Sequence, residues 1–325
     1  MNLGGLERLE FAPTGASGSG RQIAAGPGEA FAKAFRGRMH PGNRVTVLLD
    51  GAETYAAMFA AIDQARDHIN IESYIIEAEG PGEELARRLT ARCKAGVKVN
   101  LLFDGFGSFS TASSYFDELR SAGVDLCEYN PLRWGLLLNR ALHLRDHRKL
   151  MVVDGRIGFI GGVNISRVYS SSGSAGILPG PGAGERAVGW RDTHVRVEGP
   201  VVAELQRLFL RQWWRFARHP IRHGRYFPPL KVVGGHSAAI AASDAGRWRR
   251  HFYRTLLEAM DQARQRILLT SAYFVPTRRL LRTLIRASKR GVEVHLVLPG
   301  ISDFWAPLQA GRSHYTRLLR AGIRI

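Results

Sequence analysis

One stretch of this chain is written twice, and that restricts the architecture more than any other feature of the sequence. The run "AAIDQARDHINIESYII", Ala60 to Ile76, returns as "EAMDQARQRILLTSAYF", Glu258 to Phe274. Further on, "KAGVKVNLLF" from Lys94 returns as "KRGVEVHLVL" from Lys289, and "YFDELRSAGVDL" from Tyr115 returns as "HYTRLLRAGIRI" from His314. Three matches in the same order at nearly constant separation mean two copies of one supersecondary unit.

The unit itself alternates strand and helix. "VTVLL" reads as a strand, "ETYAAMFAAIDQARDH" as an amphipathic helix, "INIESYII" as a strand, "EELARRLTARCKAG" as a helix and "VKVNLLF" as a buried strand. This alternation predicts an α/β fold: a duplicated module with a mixed, mainly parallel sheet flanked by helices, the second copy incomplete. The expected organisation is a Gly- and Ala-rich tail over 1–40, a first module over 41–218, a linker over 219–246 and a second module over 247–325.

Beyond the repeated part, the first copy continues into "HRKLMVVDGRIGFIGGVN", His147 to Asn164, which has no counterpart after "AGIRI" in the second copy. "KLMVV" and "IGFIGG" around the turn sequence "DGR" predict a β-hairpin. In extended chain His147 and Lys149 share a face while Arg148 points the other way. An imidazole beside a fixed cation suits nucleophilic attack on phosphorus. The lysine keeps the ring neutral and offsets charge on the phosphoryl oxygens. Gly161 and Gly162 allow close backbone approach, and the Asn164 amide can donate to a phosphate oxygen. Asp154 either orients an imidazole or holds a neighbouring loop, and it ranks as catalytic support.

The spacing His147-x-Lys149-x4-Asp154-x6-Gly161-Gly162-x-Asn164 resembles the HKD signature of the phospholipase D superfamily. Within it, "GNRVTVLLDG", "INIESYII", "HRKLMVVDGRIGFIGGVNIS", "WRDTHVRVEGPVV" and "SAYFVP" are similar to the bacterial cardiolipin synthases that lack N-terminal transmembrane helices. The likeness runs over about residues 35 to 325.

The resemblance implies transesterification without a metal or other cofactor. His147 would form a phosphohistidine, and the phosphatidyl group would pass between phosphatidylglycerol molecules. The family's second HKD motif, whose histidine serves as general acid and base, is expected after the point where this sequence stops. The chain as given is therefore expected to turn over little or no lipid. A phosphodiesterase or nuclease using the same histidine and a non-catalytic binder of anionic lipid stand as alternatives.

A formal net charge of +18, carried mostly by arginine, draws the chain toward anions. The expected partners are phospholipid, with phosphatidylglycerol as substrate, and an anionic membrane surface. Nucleic acid is disfavoured, because the loop before His147, "WGLLLNRAL", suits acyl chains better than stacked bases. Arg140 and Arg145 would flank the lipid phosphate, and Asp192 lies near the site by analogy. The stripe Val202, Leu205, Phe209, Trp213 and Phe216 reads as core packing on a helix.

Cys93 and Cys127 have no metal-type spacing, and His143 with His147 lacks a third ligand, so no metal site is expected. No apolar run is long enough to span a bilayer. The expected location is cytoplasmic, peripheral to the inner membrane; the oligomeric state is left open.

Overall fold

The computed structural model describes residues 39–131, 145–170, 190–217, 219, 221, 224–243, 251–302 and 304–325. The tail reading of 1–38, the apolar loop 134–142 and most of the Gly-rich stretch 170–186 lie outside them. The contacts divide the described chain into two compact units, His40–Ile240 and Ala241–Ile325.

The first unit contains, in order, β1 (His40–Leu49), α1 (Asp50–Asp63), β2 (His68–Ser73), α2 (Pro81–Lys94), β3 (Lys98–Asp104), α3 (Ser113–Ser121), β4 (Asp125–Tyr129), β5 (Leu150–Val153), β6 (Ile157–Gly161), β7 (Thr193–Glu198), α4 (Val202–Phe216) and β8 (His236–Ala238). The strands form one sheet in the order β4-β3-β2-β5-β6-β7-β1-β8. Only β4, β3 and β2 run parallel; from β2 outward through β5, β6, β7, β1 and β8 every neighbour is antiparallel. The sheet is mixed as expected, but its parallel part is confined to the strands joined by helices. The β5–β6 hairpin is closed by a tight turn that leaves no room for a crossover helix, and so runs antiparallel.

Alternation sorts the sheet into two unlike faces. Ile69, Ile71, Val99, Leu101, Met151, Val153 and Phe159 pack in one apolar core with Tyr55, Met58 and Ile62 of α1, Leu85 and Leu89 of α2 and Phe116 of α3. The opposite face carries His68, Asn70, Glu72 and Asn100, all buried, beside Leu150 and Val152. Here α4 lays its stripe against the sheet, with Val202, Leu205, Phe209 and Trp213 at 1% exposure or less, as their helical spacing predicts.

Two element ends differ from the expected ones, each for a local reason. The helix expected to reach His68 stops at Asp63, because the N–H groups of Arg66, Asp67 and His68 donate to the carboxylate of Asp154 at 2.8–2.9 Å. The strand expected to reach Ile76 ends at Ser73. Beyond it the Ile75 N–H donates to the Asn164 side-chain oxygen at 3.1 Å and the Ile76 N–H to the Ser108 hydroxyl at 3.1 Å. The stretch read as a linker contains β8, paired with β1. Its residues His-Ser-Ala lack the apolar alternation that marks a strand in sequence.

The second unit holds α5 (His251–Gln262), β9 (Arg266–Thr270), α6 (Arg278–Lys289), β10 (Glu293–Val297), α7 (Trp305–Arg312) and α8 (Tyr315–Arg320). It reproduces the first copy to the register. β2 pairs with β3 in parallel from His68 opposite Lys98, and β9 pairs with β10 in parallel from Arg266 opposite Glu293, which are equivalent positions of the repeat. The parallel bridge His295 to Arg324 stands where Asn100 meets Asp125. The ion pair of Arg88 with Asp63 recurs as Arg286 with Asp261 at 3.1 Å.

Candidate active site

The chain enters β5 through Arg145 to Lys149 at the edge of the sheet where parallel β2 and β3 end. Extended backbone puts His147 and Lys149 on one side, as their spacing predicts. The exposed His147 ring stacks on Tyr74, with ring centroids 3.9 Å apart and planes inclined by 21°. The Lys149 ammonium donates to the His147 carbonyl at 2.6 Å and lies 5.2 Å from the centre of the same tyrosine ring.

The electrostatics keep the imidazole neutral. Partial burial, then the Lys149 charge, push the His147 pKa below its ordinary value, against a pull upward from Asp104 and Asp146. Burial lowers Lys149 to about 8, opposed by Asp146, Asp192 and Asp104. A ring with a free lone pair therefore sits beside an ammonium that stays charged at neutral pH.

On the opposite side, buried charges fix the segment. Arg148 donates to Glu72 at 3.1 Å and its backbone N–H to Asp146 at 3.1 Å; Gln212 of α4 donates to Asp146 at 2.6 Å. The Asp146 N–H donates to Asp104 at 3.0 Å. Burial, then the Asp146 charge, push the Glu72 pKa well above the carboxylate range, against a downward pull from Arg148.

The other residues singled out from the sequence divide by position. Gly161 and Gly162 sit beside the site, and their bare α-carbons make room for β7. A Cβ at Gly161 would lie 2.5 Å from the His194 α-carbon and 2.7 Å from its ring nitrogen, and one at Gly162 would overlap the Asp192 carboxylate. The glycines thus admit His194 and Asp192, and Asp192 reaches Lys149 electrostatically.

Two assignments are corrected, and the two readings left open for Asp154 narrow to the one in which it holds a loop. Asn164 is 4% exposed, and its amide is taken up by Ile75 N–H and the Tyr169 hydroxyl, each at 3.1 Å, so it ties two loops together instead of facing a phosphate. Arg145 has a side chain 8% exposed, held by Asp104 at 3.6 Å and the Asn130 carbonyl at 2.8 Å, which leaves it no reach toward a headgroup. Asp154 lies past the far end of β5 from His147, where it caps the backbone between α1 and β2. Arg140 lies outside the described residues.

Sequence reasoning missed Tyr74, Asp104, Asp146 and Glu72. The available signal was the density of charge in "LRDHRKL" just before an apolar strand, which requires buried partners. Among the described residues no group of three or more His, Cys, Asp or Glu side chains is placed to hold a metal ion.

Comparison with solved structures agrees on the fold. Phosphatidylserine synthase of Haemophilus influenzae Rd KW20 superposes with a TM-score of 0.55 over 90% of this chain and 73% of that one, at 12% identity. The family model "Cardiolipin synthase, PLD-like domain" matches residues 58–172 and 256–325, covering parts of both copies and the His147 hairpin. The chain belongs to that phospholipase D-like family.

Two curated relatives give the scale of the likeness. The chain is 33% identical over 300 residues to a cardiolipin synthase of Geobacillus kaustophilus (strain HTA426), covering 90% of this chain and 57% of that protein. It is 31% identical over 287 residues to cardiolipin synthase 1 of Bacillus anthracis, covering 86% and 54%. The chain therefore spans about half the length of the curated relatives it matches. Among the described residues no helix is long and apolar enough to cross a membrane.

Proposed function

We propose that this chain carries the nucleophilic half of a phosphatidyl transfer of the cardiolipin synthase type. The Nε2 or Nδ1 lone pair of His147 attacks the phosphorus of phosphatidylglycerol. The bond from phosphorus to the glycerol oxygen breaks, and that oxygen leaves with a proton from a general acid, the role the family resemblance gives to a second histidine. A hydroxyl of another phosphatidylglycerol then displaces the imidazole, giving cardiolipin and free glycerol. Lys149 offsets the charge on the non-bridging oxygens in both steps, and Asp192 holds the ammonium toward them.

One observation carries this reading: the exposed ring of His147, stacked on Tyr74 with an ammonium beside it that helps push its pKa down. Gly161, Gly162, Asn164, Arg145 and Asp154 act by shaping and holding the site. The substrate is anionic phospholipid, and the reaction takes place at a membrane surface, as the basic balance of the chain favours.

The test uses bis(p-nitrophenyl) phosphate, whose leaving group needs no protonation, so that attack by His147 is read by itself. The expected result is a nitrophenolate burst approaching one equivalent, with an alkali-stable phosphoryl adduct on the peptide containing His147, both absent in His147→Ala. A folded protein that gives no burst, or an adduct on another residue, overturns the mechanism. Preferential cleavage of oligonucleotides over phosphatidylglycerol, in a protein of the curated relatives' full length, overturns the substrate.

A further inference from the structure

The two copies share a feature beyond the aligned runs. In the register that matches Lys94 with Lys289, Gly105, Phe106 and Phe109 fall on Gly300, Ile301 and Phe304. Both triplets follow the second parallel strand of their copy. In the first unit Phe106 and Phe109 are 52% and 73% exposed; in the second Ile301 and Phe304 are 86% and 59% exposed, with Trp305 next to them at 73%.

A single exposed apolar side chain is ordinary, but two at the same positions in both copies of a divergent loop are not. Nor are they carried on slack chain. In the first unit the Asp104 carboxylate accepts from the N–H groups of Phe106 and Gly107 at 2.9 and 3.1 Å. Ser108 donates to the carbonyl of Tyr74, the residue stacked on His147, at 3.3 Å. In the second unit Arg312 donates to the Gly300 carbonyl at 2.9 Å, and Phe304 meets Tyr273 edge to face at 5.7 Å. The described residues of each loop are thus held as a fingertip.

We propose that these two fingertips, Phe106 with Phe109 and Ile301 with Phe304, insert into the interfacial layer of an anionic lipid surface. This builds on the phosphatidyl-transfer reading and names the residues that meet the bilayer. Two protruding side chains per copy are too little for a protein interface, which needs a contiguous patch of about 800 Å² on each partner. They do suit the boundary between headgroups and acyl chains, where Trp and Phe settle. The charge is complementary to anionic headgroups: exposed Arg312 donates to the Gly300 carbonyl at the second tip, and the whole chain carries +18.

The experiment measures partition of the chain onto equimolar phosphatidylglycerol and phosphatidylcholine vesicles by co-sedimentation. Two double variants are compared with the unsubstituted chain: Phe106→Ser with Phe109→Ser, and Ile301→Ser with Phe304→Ser. Thermal melts confirm that both fold. Each is expected to weaken partition at least about tenfold, and bromolipid quenching of tryptophan emission is expected to fall in Trp305→Phe. Partition of either double variant equal to that of the unsubstituted chain overturns the proposal. So does failure of the unsubstituted chain to bind, or a concentration-dependent dimer that the substitutions dissolve.

Partition is read without turnover, so His147→Ala should bind vesicles like the unsubstituted chain. Binding that depends on the fingertips, in a protein that forms no adduct on His147, would reject the transfer chemistry and leave the docking surface standing.

Discussion

The imidazole of His147 stacks on the phenol ring of Tyr74, 3.9 Å away, with the Lys149 ammonium over the tyrosine ring and bonded to the His147 carbonyl. Stacking fixes the plane of a nucleophile that is otherwise open to solvent, so its lone pair is aimed before substrate arrives. Tyr74→Phe keeps the ring and is expected to form the adduct within about twofold of the unsubstituted rate. Tyr74→Leu is expected to slow it roughly tenfold to a hundredfold, the size of effect a misplacement of about 1 Å produces. Burst kinetics with the nitrophenyl diester read both.

The pH profile follows from the two shifted groups. Attack needs neutral His147, whose pKa is depressed, so the acid limb should lie below the ordinary imidazole value. Assistance needs charged Lys149, so the rate should fall as pH rises through about 8. Lys149→Met removes a charge that depresses the His147 pKa, and its acid limb is expected to move to higher pH while the alkaline limb disappears. An unmoved acid limb would mean that the lysine is not acting on the ring.

Asp154 separates stability from chemistry. Asp154→Ala removes three backbone hydrogen bonds at 2.8–2.9 Å and places a β-carbon residue without a compensating carboxylate at φ 51°. The expected cost is about 2–4 kcal/mol in urea unfolding. The burst rate of the remaining folded protein should stay within about threefold, a range chosen well below the 10²–10⁴ factors typical of acid–base groups. A selective loss of the burst would return Asp154 to the reacting groups.

The upward shift of Glu72 predicts a protonated carboxyl, which an isostere checks. Glu72→Gln keeps shape and charge state and is expected to change stability by no more than about 1 kcal/mol. Glu72→Ala removes the hydrogen bond with Arg148 and leaves a cavity, and is expected to cost more than Glu72→Gln, about 2–3 kcal/mol. Equal effects of the two substitutions would show that Glu72 is ionised.

Buried His194 gives an acid signature. Burial, with the Lys149 charge, lowers its pKa from 6.5 to about 4, and among the described residues neither ring nitrogen has a partner. The unfolded chain therefore binds a proton that the folded chain refuses. The stability from His194 is complete above 6.5 and is lost progressively toward about 4, with a slope of at most about 1.4 kcal/mol per pH unit. His194→Gln should flatten urea midpoints across that window.

Much of this architecture could be read from the chain because it rests on local rules. Period-2 spacing put His147 and Lys149 on one face and Arg148 on the other, and internal repetition put equivalent strands in equivalent register. Side chains whose partners lie far along the chain were misread or missed. Nothing near Asn164 signals that Ile75 will claim its carbonyl oxygen, and nothing near Tyr74 signals a ring brought over from position 147. Arg145 reads as a substrate contact because its partner, Asp104, ends a strand far from it in the chain.

A protein that carries one strand-helix-strand segment twice risks mixing the copies while it folds, β9 zipping onto β3 or β2 onto β10. The amide pair of Asn70 and Asn100, joined at 2.7 Å and fully buried, discriminates against that error. At the equivalent positions the second copy has Leu268 and His295. A swapped partner would leave Asn100 facing leucine in the interior, a penalty of about 1–3 kcal/mol that correct pairing avoids. The two asparagines thus act as a key by which each half of the duplication recognises its own strand.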